Sequence, residues 1–207
     1  MTGWEFPLLL VAWAIGGGSP GPATLAIAGT AMDRGRMAGL AVASGIIVGS
    51  ASWGLAAALG MSAIMVANVW LVEVLRYVGA AYLLYLAYKA MKSAITDKPL
   101  TQVGAKAGAL GGLFRKGLLI HLTNPKAIFG WGAIFAIAVP PGSGAWDIGT
   151  TYLSLLAVSC TVFWGYGLLF SLGGFVRGYQ RLRRWFEATF ALLFGLAGLK
   201  ILTARLT

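Results

Sequence analysis

Charge is scarce in this chain. Of 207 residues only six are Asp or Glu and 16 are Lys or Arg, 11% in all against 58% hydrophobic. Soluble domains carry about 25% charged residues, so there is too little polar surface to face water and the chain reads as an integral membrane protein. The lone cysteine, Cys160, excludes an internal disulfide and reads as a core residue. With one histidine, His121, and no grouping of His, Cys, Asp and Glu, no metal site is expected. A phosphate-binding glycine loop and a nucleotide motif are also missing, so no cofactor is expected and ATP is not the expected energy source. The net charge of +10 does not imply nucleic acid, because the longest loop, about Lys92 to Phe114, is too short to be a soluble basic domain.

What the chain has instead is long apolar runs. Phe6 to Met32, Met37 to Val72 and Ile148 to Val176 are charge-free over 27, 36 and 29 residues, each longer than the ~20 that cross a ~30 Å hydrocarbon layer as helix. Lipid leaves helices or closed barrels as the spanning structures, and these runs lack the alternation of barrel strands. The start, "MTGWEFPLLL", has no basic n-region and is expected to stay as a span. Three further segments carry internal charges, Arg76, then His121 with Lys126, then Glu187 with Lys200, and still qualify where long side chains snorkel to the interface. The expectation is an all-α membrane protein of six transmembrane helices, at about 5 to 29, 38 to 64, 70 to 91, 115 to 139, 148 to 173 and 184 to 204.

Basic residues alternate between the connections. Arg34 and Arg36, then the Lys89–Lys116 loop, then the Arg177–Arg184 loop are basic, whereas the turns near Asn68 and near "PPGSGAWD" have no Lys or Arg. Basic loops stay in the cytoplasm, which places both termini outside. The charge is thus a topology signal and the lipid bilayer is the expected surroundings; a homo-oligomer is compatible with the sequence but nothing in it specifies one. The chain divides into a first three-helix repeat over 1–94, a cytoplasmic basic linker over 95–114 and a second three-helix repeat over 115–207. Three being odd, the repeats are expected to be inverted in the membrane, an architecture of secondary transporters.

Both repeats carry proline where backbone breaks are hardest to tolerate. "GGGSPGPATLAI" sets Ser19 before Pro20, and "HLTNPKAIFGW" sets Asn124 before Pro125, 105 positions later. Ser and Asn are N-cap residues and Pro is favoured at the first helical position, so helices 1 and 4 are expected to be broken near Pro20 and Pro125. At 1.5 Å per residue, Pro22 counted from Asp33 and Pro125 counted from Lys116 both lie roughly 13 to 17 Å from the cytoplasmic boundary. Helix starts at mid-membrane offer N–H groups and positive dipole ends to an anion such as a carboxylate. The other reading of such prolines is a kink that neighbouring helices re-satisfy.

The stretches "SPGPATLAIAGTAMDRGRMAGLAVASGIIVG", "LRYVGAAYLLYLAYKAM" and "FRKGLLIHLTNPKAIFGWGAIFA" resemble, in order, the three signature regions of the LysE/RhtB family of amino-acid exporters, over about Trp4 to Leu202. That resemblance implies a non-enzymatic role, the efflux of amino acids or close derivatives across the inner membrane of a prokaryote. On matching positions it singles out Pro20, Gly21, Pro22, Gly79, Tyr82, Asn124, Pro125 and Lys126. Together with the caps, the expected substrate-binding set is Ser19, Pro20, Gly21, Pro22, Asn124, Pro125 and Lys126.

Lys126 is expected to face a wet cavity or a partner, because an unpaired ammonium at that depth is costly; the other reading is that it anchors the broken helix. His121 and Asp33 are candidates for ion coupling, although a packed histidine and a solvated or paired carboxylate, for instance Asp33 with Arg36, are the plainer readings. Glu73, Asp147 and Glu187 likewise fall near expected interfaces, so no acidic residue sits at mid-depth and neutral amino acids are expected over lysine or arginine. Gly45 and Gly49 form a small-xxx-small face for close helix packing. Two other classes remain open: an inverted-repeat channel, opposed by Lys126 after the Asn-Pro pair, and an intramembrane serine protease built from Ser44 and His121, which lacks the expected glycine at Val42.

Overall fold

The computed structural model describes residues 5–67, 69–96, 109–139 and 142–203. Their regular structure is helical throughout: α1 (Glu5–Gly18), α2 (Pro22–Arg34), α3 (Arg36–Ala67), α4 (Val69–Ile95), α5 (Leu110–Leu122), α6 (Pro125–Ala138), α7 (Ala145–Leu169) and α8 (Gly173–Thr203). By length and composition, Arg36–Gly60 of α3 and all of α7 can cross a membrane, and so can α1 with α2 taken together, which bend by 61° at their break. The breaks expected near Pro20 and Pro125 are both present, between α1 and α2 and between α5 and α6.

Several boundaries differ from the sequence expectation. The linker drawn over 95–114 is helical at both ends, since α4 runs to Ile95 and α5 starts at Leu110; 97–108, like Asn68, lie outside the described residues. The Arg177–Arg184 connection is not a loop. It is the first part of α8, which begins eleven residues earlier than expected, at Gly173. Aromatic packing holds it there: Phe170 meets Phe175 and Tyr179 edge-on at 5.2 and 4.9 Å, and Tyr179 stacks on Phe186 at 5.8 Å.

Packing follows the small residues. A methyl group on Gly45 of α3 would sit 1.9 Å from the Phe114 carbonyl oxygen of α5, and one on Gly117 of α5 would sit 2.1 Å from that of Val42. The two backbones therefore touch, as the Gly45 and Gly49 face implied. Around this seam Ala26, Ile27, Val42, Ile46 and Phe163 form one core, with Cys160 packed against it, while Leu9, Trp131, Phe135 and Leu155 form a second. Helix α4 lies mainly on α8.

Between α4 and α8, Glu187 is only 2% exposed and is paired rather than solvated. Its Oε1 accepts a 2.8 Å hydrogen bond from Ser93 and lies 3.9 Å from Arg183 Nε, while Arg183 Nη2 donates to Ser93 Oγ at 3.3 Å. Arg183, one turn earlier, is a local partner, whereas Ser93 lies 94 positions away.

Candidate functional site

The first break is built by two prolines around a glycine. Helix α1 stops as Ser19 N–H donates back to Ile15 O and the Ser19 hydroxyl donates to Gly16 O, both at 2.9 Å. Ser19 was expected to cap the following half-helix, with Pro20 at its first position; it closes the preceding one instead. Gly21 precedes Pro22, which disfavours helical backbone at Gly21, and Gly21 is fully extended at φ −171° and ψ 179°. The new helix therefore begins at Pro22, and Thr24 Oγ1 accepts from Gly21 N–H at 3.0 Å. Among the described residues no backbone oxygen accepts from the N–H groups of Ala23 and Thr24, whereas Leu25 N–H already finds Gly21 O.

The second break matches the sequence reading. Asn124 is the N-cap of α6, its Oδ1 accepting from Lys126 N–H at 3.1 Å, and Pro125 takes the first helical position. Ala127 N–H bonds Asn124 O at 2.9 Å. The donors of α6 are thus spent internally, so two open helix starts facing an anion are not what the fold provides. One start, that of α2, is left with unmet donors.

Lys126 joins the two breaks. Its Nζ donates to Ser19 O at 2.9 Å and also to the Ser19 hydroxyl, across 107 positions of sequence. The ammonium caps the negative end of α1, and a methyl group on Gly21 would lie 3.6 Å from it. Lys126 has no ion pair among the described residues.

These groups form one end of a cavity of about 410 Å³ whose lining includes Ser19, Gly21, Thr24, His121, Asn124 and Lys126. Of the other expected residues, Pro20, Pro22 and Pro125 shape the breaks without lining it, and Asp33 is exposed near the end of α2, away from the cavity and not paired with Arg36. Gly79 and Tyr82 lie in α4, as does Glu73, at positions whose side chains are outside the described residues. His121 is buried edge-on against Phe163 at 5.6 Å, and its Nδ1 has no hydrogen-bond partner. Ser44 accepts from Trp164 Nε1 at 3.1 Å and is not bonded to His121, so the two do not make the nucleophile and base of a protease.

Sequence reasoning missed the rest of the wall, Thr24, Trp13 and Trp131 among it. Thr24 was accessible in principle, three residues after the extended Gly21, the position from which a side chain reaches back to the cap. The tryptophans were not, because apolar residues in a membrane helix look alike whether they face lipid or a cavity.

Comparison with known proteins adds to this geometry. The family model described as LysE type translocator matches residues 14–205. The chain is similar to the threonine efflux protein of Escherichia coli (strain K12), 31% identical over 192 residues that cover 90% of this chain and 92% of that protein. It is also similar to the leucine efflux protein of Enterobacter sp. (strain 638), 31% identical over 80% of this chain and 77% of the relative. No solved structure matches. The matched residues include both breaks and the helices that follow them, and the chain belongs to the LysE type translocators, a family of membrane transporters and not of enzymes.

Proposed function

We propose that this protein is a multi-pass secondary transporter of a prokaryotic inner membrane that exports neutral amino acids or close derivatives down an ion gradient. The observation that carries the reading is the Lys126 ammonium at the cavity end, held by Ser19 beside the open start of α2. An ammonium next to two unmet backbone N–H groups suits a carboxylate, and neutral α-amino acids all share one. Relatives named for threonine and leucine efflux support the same class.

The eight helices make six spans in this reading, α1 with α2 and α5 with α6 each crossing once. Residues 1–94 and 115–207 are then inverted repeats joined by a cytoplasmic basic linker. Lysine and arginine are poor substrates, since among the described residues no carboxylate lines the cavity and the buried Glu187 is occupied by Ser93 and Arg183. A channel is disfavoured by the same ammonium, which opposes cations in a narrow path.

Counterflow in proteoliposomes tests the reading. A carrier loaded with an unlabelled neutral amino acid accumulates the labelled one transiently and with saturation. Unsaturated flux would indicate a channel, and arginine exchanged more strongly than leucine or threonine would contradict the neutral class.

A further inference from the structure

Away from Lys126 the cavity changes character. Its wall continues along α1, where Gly17 and Gly16 lie two and three residues before Ser19 and Trp13 lies six before it, about 3, 5 and 9 Å along the helix axis. Trp13 of α1 packs on Trp131 of α6 with ring centroids 4.7 Å apart at 60°. Both line the cavity, Trp131 buried and Trp13 half-buried.

The donors of both indoles are already used. Trp13 Nε1 donates to Leu155 O at 3.0 Å and Ser159 Oγ at 2.9 Å, and Trp131 Nε1 donates to Ser50 Oγ at 3.0 Å. Ser159 spends its own proton on Leu155 O at 3.0 Å. A substrate side chain entering beside Trp13 finds its ring face and aliphatic groups, and the Trp13, Trp131 and Ser159 donors are already engaged. Room comes from missing side chains: a methyl group on Gly16 would just meet Phe194 at 3.8 Å, one on Gly17 would meet Val162 at 3.9 Å, and one on Gly130 would meet Trp13 at 3.6 Å.

We propose that Trp13, with the bare backbone of Gly16, Gly17 and Gly130, is the side-chain subsite of the transporter, and that it selects large apolar amino acids such as leucine over hydroxyl-bearing ones such as threonine. The assignment rests on the amino-acid reading above and sharpens it. A carboxylate at Lys126 leaves the substrate side chain against Gly17, Gly16 and the Trp13 face. Leucine fills that space with apolar contact, whereas threonine leaves it partly empty. An apolar pocket discriminates against a hydroxyl by roughly ten- to hundredfold.

The test is competition in counterflow by the purified full-length protein in proteoliposomes, with leucine, alanine and threonine as competitors. Leucine is expected to half-saturate at roughly ten- to hundredfold lower concentration than threonine. In Gly17→Ala the added methyl meets Val162 at ordinary contact distance, so the fold is kept while the pocket shrinks; leucine affinity is expected to fall several-fold more than alanine affinity. Threonine equal to or better than leucine overturns the subsite, as does a Gly17→Ala variant that shifts leucine and alanine equally. Absence of saturable exchange for any amino acid overturns the transport reading itself, and the subsite with it.

Discussion

Lys126 brings a full charge to a place where the described residues offer it only the two oxygens of Ser19. Glu187 is the contrasting case, a buried charge already engaged by Ser93 and Arg183. Removing one partner from a buried pair leaves the other uncompensated, at a cost of about 3 to 5 kcal/mol. Glu187→Ala is therefore expected to lower stability in detergent by several kcal/mol, and Glu187→Gln, which keeps an acceptor for Ser93, by clearly less; equal melting of the two variants and the parent would assign the cluster no structural weight. At this scale the sequence showed Asn124 and Lys126 well, because an Asn-Pro pair has one local meaning and a lysine inside an apolar run stands out. Ser19 was found with the wrong role: Pro22 forces Gly21 out of helical backbone and pushes the helix start two residues onward.

Between elements, the closest approach is α3 against α5. Gly45→Ala puts a methyl 1.9 Å from a backbone oxygen, so the helices must separate, and a loss of at least about 1 to 3 kcal/mol is expected. Gly165→Ala in α7 meets nothing within 4 Å and is expected to be neutral or to gain about 0.5 to 1 kcal/mol from reduced backbone freedom. Thermal unfolding of the two variants compares these directly; a destabilised Gly165→Ala with an unaffected Gly45→Ala would contradict the packing. The spacing of Gly45 and Gly49 signalled a contact face but not its partner, since any helix with a small residue would serve. The early start of α8 was hidden for a related reason: a cluster of arginines reads as a loop until Tyr179 is seen edge-on against Phe170 at the end of α7, with Phe186, seven residues on, stacked upon it.

For the whole molecule, orientation rests on charge alone. Arg34, Arg36, Lys92 and the arginines at the start of α8 lie toward one side in the six-span reading, and Ser143 lies toward the other. In a Cys160→Ser background, a cysteine at Ser143 is expected to react with a membrane-impermeant reagent applied outside, and one at Lys92 is expected to be protected until the cells are opened. The reverse pattern would invert the proposed orientation.

The central claim is that a broken-helix site joining Ser19 and Lys126 holds the carboxylate of an amino acid, and Lys126→Gln tests it most directly. Glutamine keeps the reach and a donor but removes the charge. A lost charge-assisted contact is worth roughly 1.5 to 3 kcal/mol, or about ten- to hundredfold in affinity. Leucine binding by the folded variant is therefore expected to weaken by that factor, while binding of the corresponding amine without a carboxylate changes little. Leucine affinity unchanged in a folded Lys126→Gln protein would contradict the account and leave the lysine as an anchor of the break.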